Sequence, residues 1–177
     1  MNEHVPSAFG ELIEPTTLKL QRRLPGPVER VWAYVTESEL RRKWLAAGEM
    51  EMRVGAECEL VWRNDELTNP PGRRPEGFSV EHRMQTKILE LDPPRHIVFK
   101  FGNNGDVTID LEPKGNEVLL TLVHRRLPNR STTLGVSAGW HTHLDLLVAR
   151  VSGEEPAAPF WDGMSDLLKV YDKKLPS

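Results

Sequence analysis

The segment from Ser137 to Val151, SAGWHTHLDLLVARV, constrains the fold more than any other part of the chain. Its apolar residues recur at the i, i+4, i+7, i+8, i+11 spacing of one helix face, at Trp140, Leu144, Leu147, Val148 and Val151. This spacing predicts a broad apolar stripe along a helix of about four turns. Segments with strand character fill most of the chain before it, so we expect the helix to lie on a sheet. Such an arrangement often encloses a cavity, where we expect the function to reside.

The composition indicates a soluble globular protein of one domain. The chain has 177 residues, of which 38% are hydrophobic and 28% charged, and its net charge is −3. Acidic and basic residues are interspersed, and without a basic stripe we expect neither a nucleic acid nor a membrane as partner. The single cysteine, Cys58, excludes an intramolecular disulfide and a multi-cysteine metal site.

The N-terminal sequence MNEHVPSAFGELIEP lacks the basic and apolar regions of a signal peptide. No apolar run reaches the roughly 18 residues that a membrane span requires. We therefore expect a cytoplasmic protein. Pro6, Gly10 and Pro15 interrupt any regular pattern, which predicts a weakly ordered arm over residues 1–15.

The remaining patterns predict a strand, two short helices, about six further strands, the long helix and one more helix. The strands are expected at residues 16–24, 49–53, 56–63, 78–91, 96–101, 106–112 and 117–126, and the short helices at 28–35 and 37–45. Turn sequences between neighbouring strands favour an antiparallel meander. A loop is expected at 127–135, before the long helix. Thr36 with Glu39 suggests a capping box for the second short helix, and Asp162 a cap for the last helix.

Several motifs resemble the START-like, or SRPBCC, superfamily, whose fold is the helix grip. The segment PGPVERVWAYVTESELRRKWL, from Pro25 to Leu45, is similar to the Pro-x-x-x-Val-Trp helix and following Trp helix of one family in it. That family is named for the activator of the ninety-kilodalton heat-shock-protein ATPase. Four more segments are similar to its elements: Arg53-Val54-Gly55, Leu89–Val98, Gly139-Trp140 and the tail with Pro159-Phe160-Trp161 and Tyr171.

The resemblance implies an α+β helix-grip fold, in which a curved antiparallel sheet of about six or seven strands surrounds a long C-terminal helix. The domain would span residues 16–152, between the arm and an extension over 153–177 whose amphipathic helix packs on the same domain. Members of the family bind small hydrophobic molecules, act as cyclases or other enzymes, or assist a chaperone. No cofactor and no metal is predicted.

Aromatic, methionine and histidine side chains are the candidates for lining the cavity. Tryptophan rings supply flat apolar walls with an N–H donor, and methionines supply adaptable ones. Core filling is the alternative for each of them. The predicted ligand-binding residues are Trp44, Met50, Trp62, His82, Met84, His124, Trp140, His143 and Leu144.

The histidines allow two interpretations. His82, His124 and His143 could form a hydrogen-bonding trio inside the cavity, or each could be satisfied independently. His141 and His143 point about 200° apart on a helix, so they cannot easily chelate one metal ion. His141 and Asp145 are four residues apart, away from the Trp140 stripe, which is typical of a solvated helix face.

Arg22 has the strand parity of Leu18 and is therefore expected on the apolar side. An isolated buried charge is costly. The side chain therefore either extends to solvent or pairs with a carboxylate of the protein or of a ligand, and a bulge or an extended side chain is the favoured interpretation.

Three functional hypotheses follow. The first is a module that binds a small apolar or amphipathic molecule between the sheet and the Gly139–Val151 helix. The second is a cyclase- or hydrolase-like enzyme that uses the cavity histidines, and the third is a chaperone-associated interaction protein. The loop over Asn64–Gly77 is either a lid or a floppy hairpin end, and exposed sheet edges leave a homodimer open.

Overall fold

The computed structural model describes residues 7–176, which form one seven-stranded sheet and four α-helices. The strands are β1 (Glu11–Glu14), β2 (Thr17–Pro25), β3 (Glu57–Trp62), β4 (His82–Asp92), β5 (His96–Lys100), β6 (Asp106–Lys114) and β7 (Glu117–Arg125). The helices are α1 (Val28–Thr36), α2 (Ser38–Arg41), α3 (Arg130–Ser152) and α4 (Phe160–Lys174), and a single 3-10 turn spans Asn64–Glu66.

The sheet is an antiparallel meander that is closed on one side by the first long strand. Its order is β1-β2-β7-β6-β5-β4-β3, so β2 lies beside the last strand, β7. In that ladder Leu18 faces His124 and Leu24 faces Val118. Because strand side chains alternate between faces, Leu18, Leu20 and Leu24 share the buried face on which α3 lies. The α+β helix-grip fold expected from the sequence is confirmed.

The long helix α3 begins two turns earlier than the apolar stripe alone predicts. Asn129 caps it by accepting a hydrogen bond from the Thr132 N–H at 2.8 Å, and Gly153, in the left-handed conformation, ends it. The expected loop at residues 127–135 is therefore largely helical. The first turn is held by Arg130, which binds the carboxylate and the carbonyl of Asp172 at the end of α4.

Helix α3 is buried on more sides than its apolar stripe. The stripe residues Trp140, Leu144, Leu147 and Val151 are buried as expected, but α4 packs along another face of the helix. His141 is only 5% exposed, and its Nδ1 lies 2.8 Å from the Tyr171 hydroxyl of α4. The solvated face predicted for His141 is therefore wrong, because a helix beyond the predicted domain covers it.

Other local predictions differ from the structure. Residues 49–53 are not a strand; only Ala47 forms a bridge to β3, and Met52 is exposed. Neither predicted cap is made: no side chain caps α2, and α4 begins at Phe160 without a side-chain cap. Within the arm expected at 1–15, residues 1–6 lie outside the described residues, whereas 11–14 form β1.

Arg22 pairs with a carboxylate of the protein instead of extending to solvent, contrary to the favoured interpretation. Its side chain is 7% exposed and that of Asp145 is 56% exposed, and Nε donates to Asp145 Oδ1 at 3.0 Å. Nη1 also donates to the Gln21 carbonyl at 2.7 Å. The pair connects β2 to α3 at the boundary between the core and solvent.

Removing the carboxylate should leave a buried arginine without its counter-charge. We expect Asp145→Ala to lower the free energy of unfolding in urea by about 1–2 kcal/mol, between the values for exposed and buried pairs. The double variant Arg22→Met/Asp145→Ala should recover most of that loss. Glu112→Ala breaks the exposed pair with Lys114 and serves as the control. An Asp145→Ala effect no larger than the control's would contradict this account of Arg22.

Candidate functional site

A cleft of about 360 Å³ opens between the end of the β3–β4 hairpin, helix α3 and the start of α4. We call it the aromatic cleft. Five of its lining side chains are aromatic rings other than histidine, and two are histidines. The lining consists of Leu45, Trp62, Asn64, Gly77, Phe78, Ser79, His82, Phe101, Gly135, Val136, Gly139, Trp140, His143 and Trp161.

Four aromatic rings from four parts of the chain form a continuous wall. The ring centroids of Trp62 and Phe101 are 5.9 Å apart, and those of Phe101 and Trp140 are 5.5 Å apart. Trp62 also lies opposite His82 across the β3–β4 ladder, at 5.6 Å between centroids. These edge and tilted contacts are the favoured geometries of aromatic pairs. The wall is therefore a packed surface that presents ring faces and edges to the cleft.

The Trp140 ring is held in place by a buried histidine behind it. Its indole N–H donates to His124 Nδ1 at 3.1 Å, and His124 Nε2 donates to the Asn104 carbonyl at 2.7 Å. His124 is fully buried, and burial lowers its pKa, so it stays neutral at pH 7. Both of its ring nitrogens are used inside the protein, and neither is free to bind a ligand.

Two glycines leave the α3 side of the cleft without side chains. Gly135 and Gly139 are one turn apart on the face that also carries Val136 and His143. A Cβ atom built at either position would meet nothing within 4 Å. Close packing therefore does not require glycine at either position. Because glycine costs a helix about 1 kcal/mol relative to alanine, the empty space at these positions carries a cost in stability.

His143 supplies a polar group at the inner side of the cleft. Its side chain is 6% exposed, and its Nδ1 donates to the Trp44 carbonyl at 2.7 Å, so Nε2 is the unprotonated nitrogen. Burial lowers the pKa of His143 to about 4. None of the described residues forms a hydrogen bond with Nε2. His143 is therefore a neutral acceptor against an apolar wall.

The segment that leads into the cleft's mouth is fastened to α4. The Trp161 indole N–H donates to Asp65 Oδ1 at 2.6 Å, and its backbone N–H donates to the Pro71 carbonyl at 2.9 Å. Asp65 also binds Arg74 at 2.6 Å. The Asn64–Gly77 loop is therefore packed against the C-terminal helix rather than being a floppy hairpin end. Whether it also moves as a lid stays a prediction.

Apolar side chains flank the opening of the cleft to solvent. Phe78 is 40% exposed and contacts Trp161, with ring centroids 5.4 Å apart, and Val80 is 58% exposed. The predicted strand at 78–91 begins only at His82, so both side chains belong to an irregular segment. His82 is exposed at the same rim.

A larger groove of about 650 Å³ lies at the opposite edge of the sheet, beside β1. Its lining includes Leu12, Ile13, Leu127 and Leu175, and we call it the β1 groove. It has no aromatic side chain and no histidine in its lining. The β1 groove is larger than the aromatic cleft, and a groove along β4 is larger still at about 750 Å³, but ring surfaces and a free ring nitrogen favour the aromatic cleft as the functional site.

The sequence matches the model of the "Activator of Hsp90 ATPase homolog 1-like protein" family over residues 25–152. The chain belongs to this family. The match ends at the last residue of α3, so α4 lies beyond the segment matched by the family model. No curated protein matches the chain. Among the described residues, no helix is long and apolar enough to cross a membrane.

Solved structures show the same fold. A protein from Bordetella parapertussis, determined by NMR, is 30% identical with a TM-score of 0.79, covering 97% of this chain and 93% of that one. The crystal structure of CalU16 from Micromonospora echinospora is 20% identical with a TM-score of 0.66, covering 91% and 89%. DynU16, from the dynemicin biosynthetic locus, is 18% identical with a TM-score of 0.63, covering 82% of this chain and 51% of that one.

The structure brings four of the nine predicted ligand-binding residues together in the aromatic cleft of this family member: Trp62, His82, Trp140 and His143. His124 lies behind the wall, and Met84 faces a neighbouring groove. Trp44 and Leu144 are fully buried in the core, and Met50 packs half-buried against the core outside the cleft. The hydrogen-bonding histidine trio is not formed, because His124 and His143 bind Trp140, Asn104 and Trp44 instead.

Sequence reasoning missed several cleft residues, chiefly Phe101, Trp161 and the two glycines. Phe101 comes directly after β5, and Trp161 lies at the start of α4. Neither residue belongs to a sequence pattern that predicts a position in the cleft. Gly139 gave a usable signal, since a glycine inside a predicted helix is costly without a reason, whereas Gly135 fell in the predicted loop at 127–135. No group of three histidine, cysteine or acidic side chains suited to a metal occurs among residues 7–176.

The buried neutral His143 should make the protein acid-sensitive. Its folded pKa of about 4 lies below the ordinary value of 6.5, so the unfolded chain binds the extra proton first. Stability is complete above pH 6.5 and falls as the pH drops toward 4, by about 3 kcal/mol from this group. His124 and His141, whose pKa values burial also lowers, act in the same direction.

Urea unfolding between pH 7 and 4.5 measures this effect. The variant His143→Asn keeps an N–H donor near the position of Nδ1 but cannot be protonated, so its stability should fall less steeply with acidification. Long-range ¹H–¹⁵N spectra should show His96, whose pKa two neighbouring carboxylates raise, protonating at higher pH than His143. If the free energy of unfolding fell equally steeply with pH in the wild type and in His143→Asn, the role of His143 in acid sensitivity would be contradicted.

Proposed function

We propose that the protein binds a small, mainly apolar molecule with a flat ring system in the aromatic cleft. The family's fold is one that binds ligands, which sets the class of function without naming a ligand. The observation that carries the proposal is the helix face of Gly135 and Gly139, which lines the cleft and faces empty space. A protein that only needed a stable core would gain from alanine at both positions.

The chemistry of the walls supports a flat apolar guest. The rings of Trp62, Phe101 and Trp140 offer stacking and edge contacts, and the bare backbone of α3 lets a ring approach closely. A volume of about 360 Å³ is at the lower end of small-molecule sites, which span about 300–1,000 Å³. The guest is therefore a small molecule rather than a long lipid.

The exposed apolar rim supports access from solvent. Phe78 lines the opening and is 40% exposed, so a guest would cover it. Burying such side chains contributes about 25 cal/mol per Å² of apolar surface removed from water. Phe78 is thus expected to pack against the guest as well as against Trp161.

Adding one methyl group to the helix face tests the proposal directly. We expect Gly139→Ala to weaken binding of the neutral fluorescent probe N-phenyl-1-naphthylamine about tenfold or more, because the methyl occupies ligand space. The same change should leave the unfolding temperature unchanged or raise it by about 2–4 °C, since alanine favours the helix. Probe fluorescence and thermal unfolding give the two readouts.

Gly163→Ala is the matched control. It adds the same methyl group inside α4 but outside the cleft, where the nearest atom is Ala158 Cβ at 4.0 Å. The control should gain stability and keep the affinity for the probe. Wild-type protein that does not bind the probe, or Gly139→Ala protein that binds it as tightly as the wild type, would refute the proposed function.

A further inference from the structure

The inner end of the aromatic cleft carries hydrogen-bond acceptors and no charge. The side chains that line it include no lysine, arginine, aspartate or glutamate within the described chain. His143 lines this space, the Trp44 carbonyl fixes its tautomer, and no described residue forms a hydrogen bond with its Nε2. The polar groups of the lining are therefore uncharged, and His143 Nε2 is an acceptor among them that has no partner in the described structure.

A second acceptor belongs to the same lining. Asn64, in the 3-10 turn after β3, lines the cleft, and its Oδ1 is buried without a hydrogen-bond partner in the described structure. A buried acceptor without a partner costs about 1–3 kcal/mol. An acceptor that has no protein partner in an apolar site selects for a guest that brings a donor of its own.

We propose that the ligand is a neutral aromatic molecule bearing a hydroxyl group, which donates its hydrogen bond to His143 Nε2. This inference rests on the proposed function. A carboxylate is rejected because its charge would be buried beside a lone pair with no cation in the lining. A plain hydrocarbon fits the walls but leaves Nε2 without a partner, and so it binds more weakly than the hydroxylated ring.

Three probes with one ring system test this selection: naphthalene, 2-naphthol and 2-naphthoate. In equilibrium dialysis at pH 7.5, wild-type protein should bind 2-naphthol about tenfold more tightly than naphthalene, the value of one good hydrogen bond. The carboxylate should bind more weakly than either. In a long-range ¹H–¹⁵N spectrum, 2-naphthol should shift the Nε2 resonance of His143, and naphthalene should shift it much less.

Variants locate the acceptor. His143→Asn retains a donor for the Trp44 carbonyl and lacks Nε2, so it should bind both neutral probes about equally, at the level of naphthalene in the wild type. His96→Asn changes a histidine that lies outside the cleft, where it contacts Asp110 and Glu90, and should keep the preference for 2-naphthol. Because the wild-type comparison needs no variant, poor folding of His143→Asn would not prevent the test.

The outcomes separate this inference from the proposed function. Equal binding of naphthalene and 2-naphthol, with both weakened by Gly139→Ala, would overturn the hydroxyl inference and leave a general apolar site. Tightest binding of 2-naphthoate would also overturn it. Absence of binding for all three probes and for N-phenyl-1-naphthylamine would overturn the proposed function itself.

Discussion

The hydrogen bond from the Trp140 indole to His124 joins the long helix to the middle of the sheet, inside a region that water does not reach. Neither group has another partner among residues 7–176, so separating them would leave a buried donor and acceptor unpaired, at about 1–3 kcal/mol each. The bond fixes the Trp140 ring against Phe101, and Phe101 against Trp62. The aromatic wall, and hence the cleft, depends on this contact between α3 and β7.

The cleft stays open because hydrogen bonds to residues outside it hold its wall side chains in place. His143 is anchored by the Trp44 carbonyl, and Trp161 by Asp65 and the Pro71 carbonyl. Protein interiors normally close to high packing density, and unfilled apolar space lowers stability. Here the open space coincides with two helix glycines and a free ring nitrogen, a combination that favours a binding role over imperfect packing.

The sequence predicted the fold well and the site only in part. The Trp140 stripe and the turn-separated strands determine a helix on an antiparallel sheet, because both patterns are local periodicities. Trp62 and His82 were identified by strand alternation. Trp44 and Leu144 also lie on the apolar faces of their helices, yet they fill the core. The spacing of apolar residues predicts which face of a helix is buried, but not whether a cavity remains beside that face. Trp161 and Phe101 reach the cleft through tertiary contacts that no local pattern encodes.

Methyl-selective NMR of the complex with N-phenyl-1-naphthylamine is the most direct test of where the guest lies. Leu45 and Val136 carry the aliphatic methyl groups of the aromatic cleft, whereas Leu12, Ile13, Leu127 and Leu175 lie in the β1 groove. Our account predicts intermolecular NOEs from the probe to Leu45 and Val136. NOEs to the β1 groove instead, or none to the cleft at saturating probe, would contradict it.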